Sequence, residues 1–227
     1  MRALPLWLVA RWVFLPFGQS TGSLAGVTEV GLRERKRAAT AQALAEAAFE
    51  LAKERGLHGF VIDDVAERAG YSRRTFANHY SCKEAAVASV AYSGLDAAGD
   101  ALEELSGGVP LLDAIHAVLQ LQLTRGTLSR MREVIRLSRE FPSLEPYVHN
   151  VQYRMRLEAE QRLRSVAADR YPPTYVSLLF GALYGMVSSA LEGLVEVRLP
   201  GDRSSEPGSM DFEQFLEVAF THLRTGF

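Results

Sequence analysis

From Leu32 to the C-terminus, apolar positions recur with the three-to-four-residue period of helices that share a core. Leu44, Ala47, Ala48 and Leu51 stand at i, i+3, i+4 and i+7, one stripe of a helix predicted over 32–55. Gly56 follows, where helices commonly end in a left-handed residue. Phe60 and Val61 lead into a short second helix with Val65, Ala66 and Ala69 on its inner face. Asp63 and Asp64 fall in its first turn, where carboxylates suit the helix dipole. Gly70 makes a turn, and Ser72 is the expected N-cap of a third helix. Phe76 and Tyr80, at i and i+4, pack that helix onto the first two. A fourth helix is predicted from 82 or 83 to 105, closed by Ser106-Gly107-Gly108. Three more follow: 110–124, with Leu111, Ile115, Val118 and Leu119 on one side; 127–140, stopped by Pro142; and a long one, capped by Ser143, that reaches 171.

The eighth predicted helix, 175–191, carries no charged residue. Leu178, Leu179, Phe180, Leu183, Tyr184, Met186, Val187 and Leu191 cover most of its circumference, so it is either buried on all sides or lies in a membrane. A span takes about 20 apolar residues, and Gly181 and Gly185 dilute this run. Burial within a helical body and against a second subunit is the better expectation. A polar linker, 200–209, precedes the last helix, 211–225, with Phe212, Phe215, Leu216, Val218 and Ala219 on its apolar side.

At 227 residues, 48% hydrophobic and 23% charged, the chain is long enough for one large domain or two small ones with a real core. The net charge of −2 gives no whole-chain attraction to nucleic acid, but its distribution is uneven. Between 33 and 83 there are ten Lys/Arg against seven Asp/Glu, so an acidic body carries a mildly basic end. One cysteine, Cys82, precludes an internal disulfide and suits a reducing cytoplasm. No CxxC, HExxH, Walker loop or GxGxxG occurs, and no nucleophile–base pair or paired acid cluster. No enzyme, cofactor or metal site is therefore expected. Residues 1–26 stand apart: Arg2 precedes an apolar run to Phe17, and Ser23-Leu24-Ala25 has the form of a cleavage site. The expectation is that translation starts near Val27 and that 1–31 is a leader; a cleaved signal or a membrane tether is the alternative.

Two short helices joined by Ala69-Gly70-Tyr71-Ser72, the second opened by a capping serine and two arginines, have the layout of a helix-turn-helix, whose second helix enters the DNA major groove. The first helix, with Leu44-x-x-Ala47-Ala48-x-x-Leu51-x4-Gly56-Leu57, the run Val61-Ile62-Asp63-Asp64-Val65-Ala66-x-x-Ala69-Gly70-Tyr71-Ser72-Arg73-Arg74-Thr75-Phe76, and the junction His79-Tyr80-x-x-Lys83-Glu84 together resemble the TetR family of bacterial transcriptional regulators. The resemblance covers about 32–90 at motif level. The chain departs from it in three places. Val61 stands where the family often has a capping Thr, so the cap must come from elsewhere, for instance Asp63. Ala77 replaces a common aromatic, and Ser81-Cys82 replaces the usual Pro-Ser or Pro-Asn.

The resemblance implies an all-α fold: an N-terminal three-helix helix-turn-helix DNA-binding domain, 32–82, on a C-terminal helical effector-binding and dimerisation domain, 83–227. It implies a cytoplasmic homodimer that represses transcription at a pseudo-palindromic operator and is released by a small ligand, the fourth helix linking pocket to DNA-binding domain. Arg73 and Arg74 are candidates for bidentate contact to guanine, with phosphate contact as the alternative. Ser72 caps the helix that presents them. Ala77 is placed to meet a thymine methyl, and Asn78 a base or phosphate. Thr75, His79 and Lys83 are candidate phosphate contacts, which fix register rather than sequence; packing is the alternative for His79. The cluster Arg33, Arg35, Lys36 and Arg37 either reaches the DNA backbone or minor groove or is a solvated helix start. Candidate effector-pocket residues are His116, Leu119, Leu123, Met131, Ile135, Tyr153, Leu179 and Tyr184, whose mostly apolar character favours a hydrophobic or amphipathic ligand. The rival classes are an enzyme or carrier that mimics the motif, and a membrane-tethered or exported helical ligand-binding protein. No stable membrane association is expected.

Overall fold

The computed structural model describes residues 29–92, 95–124, 126–168, 170–199 and 209–226. Residues 1–28 of the expected leader and 200–208 of the expected linker 200–209 lie outside the described residues, and 29–31, expected as leader, belong instead to the first helix. Ala38–Phe227 form one compact unit, distinct from Met1–Arg37. The described residues form ten α-helices: α1 (Glu29–Arg55), α2 (Ile62–Ala69), α3 (Arg73–Ala77), α4 (Lys83–Ser89), α5 (Leu95–Ser106), α6 (Leu111–Thr124), α7 (Thr127–Glu140), α8 (Glu145–Ala167), α9 (Pro173–Leu191) and α10 (Phe212–Thr225). The fold is all-α, as expected. A two-residue parallel pairing of β1 (Val197–Arg198) with β2 (Met210–Asp211) is the described sheet, and no periodicity pointed to it.

The local stops work as the sequence indicates. Gly56 sits at φ +70° behind α1, and its N–H closes on Ala52 O at 3.0 Å. The apolar stripe of α1 is buried, with Leu44, Ala48 and Leu51 at 0–1% exposure against Leu57, Phe60 and Val65. A bidentate Arg68–Glu54 pair, 2.8 and 2.7 Å, ties α2 to α1, and that hydrogen bond lowers the Glu54 pKa.

Two expectations need correction. The fourth helix is not continuous from 82 to 105. It is α4, then a 3-10 turn (Val90–Tyr92), and α5 from Leu95; the sequence after Tyr92 is Ser93-Gly94, two poor helix formers. Ser143 does not cap the long helix. It lies inside a 3-10 turn (Pro142–Leu144) that Pro142 opens, and α8 starts at Glu145 behind Leu144 without a side-chain cap.

Helix α9 packs on α7 and α8, where Arg132 and Arg139 donate to the carbonyls of Ala190 and Glu192 at its C-terminal end, 2.8 and 2.7 Å. Val176, Leu179 and Leu183 are buried, but Leu178, Gly181, Ala182 and Gly185 form an exposed stripe. By length and composition α9 is also sufficient to cross a membrane. Helix α10 packs on α6 and starts with a capping box in which Asp211 accepts from Gln214 N at 2.8 Å.

His116 stacks on Phe220 with ring centroids 4.6 Å apart, wedging α6 against α10. Burial pushes its pKa down. Glu217, 3.3 Å away, opposes this together with Asp113 and Glu213, and Arg224 reinforces it. The unfolded chain, with an ordinary histidine near pH 6.5, then binds a proton that the folded one resists. Stability therefore falls as pH drops below about 6.5. Thermal melts between pH 7.5 and 5 are expected to show this fall, and a smaller one in His116→Gln. An equal fall in both would assign the pH dependence to other groups.

Candidate nucleic-acid interface and internal cavity

Helix α2 starts without the side-chain cap of a threonine. Val61, at its N-cap, has no acceptor of its own, and the Asp64 carboxylate takes the Val61 N–H at 2.7 Å. Asp64, not Asp63, thus supplies the substitute cap. Asp63 is turned instead to Arg73, 2.8 Å away. After α2 the chain reverses through Gly70 at φ +73°, where Gly70 N–H meets Glu67 O and Tyr71 N–H meets Ala66 O, the two bonds of a Schellman ending. A side chain at Gly70 has open space around it but would be held in the left-handed region, at a cost of roughly 1 kcal/mol or more.

Ser72 caps α3 as expected. Its Oγ accepts from Thr75 N at 3.1 Å and shares a 2.9 Å hydrogen bond with Thr75 Oγ1. That leaves Arg73, Arg74, Ala77 and Asn78 exposed together on one surface, with Thr75 and His79 half-buried at its edge. Phe76, at 1% exposure, anchors the helix from below. Arg74 makes no ion pair among the described residues. Lys83 is turned inward: Nζ donates to Phe60 O at 2.8 Å and lies 4.8 Å from the Phe60 ring centroid. Its position is structural in the free protein. Arg33, Arg35, Lys36 and Arg37 are exposed along the first turns of α1.

Two anchoring residues were under-read from the sequence. Tyr71 is exposed beside α3 and accepts from Thr40 Oγ1 at 3.5 Å. Tyr80 does more than pack: its hydroxyl donates to Ala41 O and accepts from Ser89 Oγ, both at 3.0 Å, joining the α3–α4 junction to α1 and α4. Burial raises its pKa. Tyr80→Phe removes both bonds and leaves the Ala41 carbonyl without this donor. It is expected to destabilise the protein by about 1–3 kcal/mol in chemical denaturation; an unchanged midpoint would reduce the residue to packing. Cys82 is the N-cap of α4, its Sγ accepting from Ala85 N at 3.4 Å, and it meets Tyr147 of α8, whose phenol pKa it raises.

Helices α5 to α9 line a half-open cavity of about 260 Å³. Of the eight expected lining residues, Leu119, Met131, Ile135 and Tyr184 are in its wall. The other four are corrected. His116 faces α10 and Phe220; Leu123 packs on the core outside the wall; Leu179 is buried in the core outside the wall; and Tyr153, 60% exposed, points to solvent while its neighbour Gln152 lines the cavity. The polar members of the wall, Gln122, Thr127, Gln152, Arg156, Arg162, Ser188 and Glu192, carry no sequence signal of their own. Ala91 of the 3-10 turn and Ala98, Gly99 and Leu102 of α5 also line it, so the segment that begins at the α3–α4 junction reaches the cavity directly. Among the described residues no cluster suited to a metal ion occurs.

Residues 44–90 match the family profile described as bacterial regulatory proteins, tetR family. No curated protein matches the chain. Among solved structures, a protein described as a tetR-family transcriptional regulator from Mesorhizobium loti MAFF303099 is 18% identical, over 82% of this chain and 95% of that one, with a TM-score of 0.48. A regulator of the TetR/AcrR family from Thermobifida fusca is 18% identical, over 85% and 98%, with a TM-score of 0.46. A transcriptional regulator from Rhodococcus sp. is 23% identical, over 79% and 91%, with a TM-score of 0.45.

Proposed function

We propose that this DNA-binding transcriptional regulator, whose residues 44–90 carry the tetR-family domain, is a homodimeric repressor that a small ligand releases from a pseudo-palindromic operator. The observation that carries the reading is α3: a serine-capped helix whose exposed surface gathers Arg73, Arg74, Ala77 and Asn78. Residues 32–82 make the DNA-binding module and 83–227 the effector and dimerisation body. We assign base contact to Arg73 and Arg74, thymine-methyl contact to Ala77, base or phosphate contact to Asn78, and phosphate contact to Thr75 and His79. Lys83 joins them if it exchanges the Phe60 carbonyl for phosphate.

Dimerisation is supported by the exposed, uncharged stripe Leu178-Gly181-Ala182-Gly185 on α9 and by Val218, 46% exposed, on α10. Two such pairs make a four-helix interface, and two-fold symmetry then sets the recognition helices about 34–36 Å apart, one turn of DNA. This accounts for the apolar α9 without a membrane, and the working site is the cytoplasm.

Release works through α4 and α5. A ligand in the cavity touches α5 and Ala91, and the 3-10 turn carries any shift of α5 into α4, which starts at Lys83 against Phe60. Coupling requires that the ligand bind the DNA-free arrangement more tightly. The test is titration of the protein on DNA flanking its own gene, with rising salt and non-specific competitor. Binding that resists competitor supports the reading. Binding that is weak, equal on all sequences and removed by salt would overturn it, because charge alone behaves so.

A further inference from the structure

We propose that the cavity takes a small apolar acid whose carboxylate is met by Arg156 and Gln122. The proposal rests on the effector reading and names the ligand's chemical class. At about 260 Å³ the cavity lies near the lower edge of small-molecule pockets, roughly 300–1,000 Å³. Leu102, Ile115, Met131 and Phe180 give it apolar walls that suit a hydrocarbon or aryl body.

Its polar groups are not balanced. Gln122, 7% exposed, lines the cavity with its Nε2 buried and without a hydrogen-bond partner. A buried amide donor of this kind calls for an acceptor, and a side chain already in the cavity wall can turn to meet one there. Arg156 lies over the Tyr184 ring, 5.9 Å from its centroid, and has no ion pair among the described residues. Arg162 reaches the same wall. Its guanidinium and stem pass where a Cβ on Gly99 would sit, so the glycine admits it; its acid partner Asp100 is 3.6 Å away. Asp100 balances Arg162, which leaves Arg156 against one carboxylate of the lining, Glu192. A cationic ligand would meet no net charge of the opposite sign and would leave Arg156 unpaired. A neutral one would leave the Arg156 fork without the carboxylate geometry it matches. An anion on an apolar body satisfies Arg156 and Gln122 together.

The experiment is calorimetric titration of the full chain with octanoate, octanamide and octylamine, which share a tail and differ in head group. Octanoate is expected to bind saturably and about tenfold or more tighter than octanamide, with octylamine weakest. Arg156→Gln, on an exposed helix position, is expected to abolish the preference for the acid. Gln122→Leu is expected to weaken octanoate several-fold, with thermal midpoints of both variants near wild type. Equal binding of all three, preference for the amine, or no saturable octanoate binding would each overturn the proposal. A parallel operator titration separates it from the effector reading. Octanoate bound through Arg156 with operator affinity unchanged leaves the ligand class standing and sinks the coupling. Operator release by the amide or the amine alone does the reverse.

Discussion

Leu178→Arg is expected to yield a folded monomer whose operator affinity is lower by about 10²–10⁴-fold. Leu178 is 71% exposed in the single chain, so its replacement removes no core contact. The cost falls on association. Along α9 the exposed positions 178, 181, 182 and 185 are Leu, Gly, Ala and Gly, and space is open around both glycines. Small residues on an uncharged face let a second helix approach closely. In the proposed dimer an arginine there would be buried in the interface with no acid within the stripe to pair with, and an unpaired buried charge costs several kcal/mol. In a two-fold dimer the substitution enters twice. A monomer presents a single α3, so the second half-site no longer binds as an intramolecular event. Sedimentation equilibrium beside operator titration reads both effects. A variant that remains dimeric and binds the operator as wild type would place the interface elsewhere.

What the sequence made legible is what short-range rules decide. Gly56, Gly70 and Ser72 end or start helices through their own backbone and side-chain chemistry, so α1 to α3 stand where the pattern puts them. The apolar stripe of α1 likewise states which face is buried. The failures involve partners distant in the chain. Asp63 was the expected cap of α2, but Arg73, ten residues on, draws its carboxylate away and Asp64 takes the role. The sequence offers Lys83 to phosphate, and what it does not disclose is that Phe60, 23 residues back, holds the ammonium by carbonyl and ring in the free chain. Helix period assigns a face but not what the face meets. One residue is a turn of about 100°, which separates Tyr153 in solvent from Gln152 at the cavity. His116 and Leu179 are on inward faces as expected, and only the placement of α10 turns His116 into a packing contact. The polar lining, Gln122 and Arg156 above all, was passed over because an apolar template cannot select it.

Arg73→Ala with Arg74→Ala is expected to abolish specific operator binding while leaving weak, salt-sensitive DNA binding in place. Each bidentate arginine–guanine contact is worth roughly 1–3 kcal/mol of discrimination, and a symmetric dimer loses each contact twice. The fold should persist, since both side chains are exposed and the anchors of α3 are Ser72 and Phe76. The two arginines are not equivalent. Arg74 has no ion pair among the described residues and is available at once. Arg73 must first leave Asp63, an exposed pair at 2.8 Å with 68% and 60% of the two side chains accessible. Exposed pairs are weak, so Asp63 restrains Arg73 without blocking it, and its charge also repels approaching phosphates. Asp63→Asn should therefore raise affinity a few-fold on operator and on unrelated DNA alike. The single Arg variants then divide the roles by their salt slopes. Loss of a phosphate contact weakens binding to all sequences and lowers the slope of log K against log salt by about 1 per half-site. Loss of a base contact leaves that slope nearly unchanged and relaxes preference at one operator position. If the double variant still selects the operator over competitor, neither arginine reads bases. Readout would then fall to Ala77, Asn78 and the shape of the DNA.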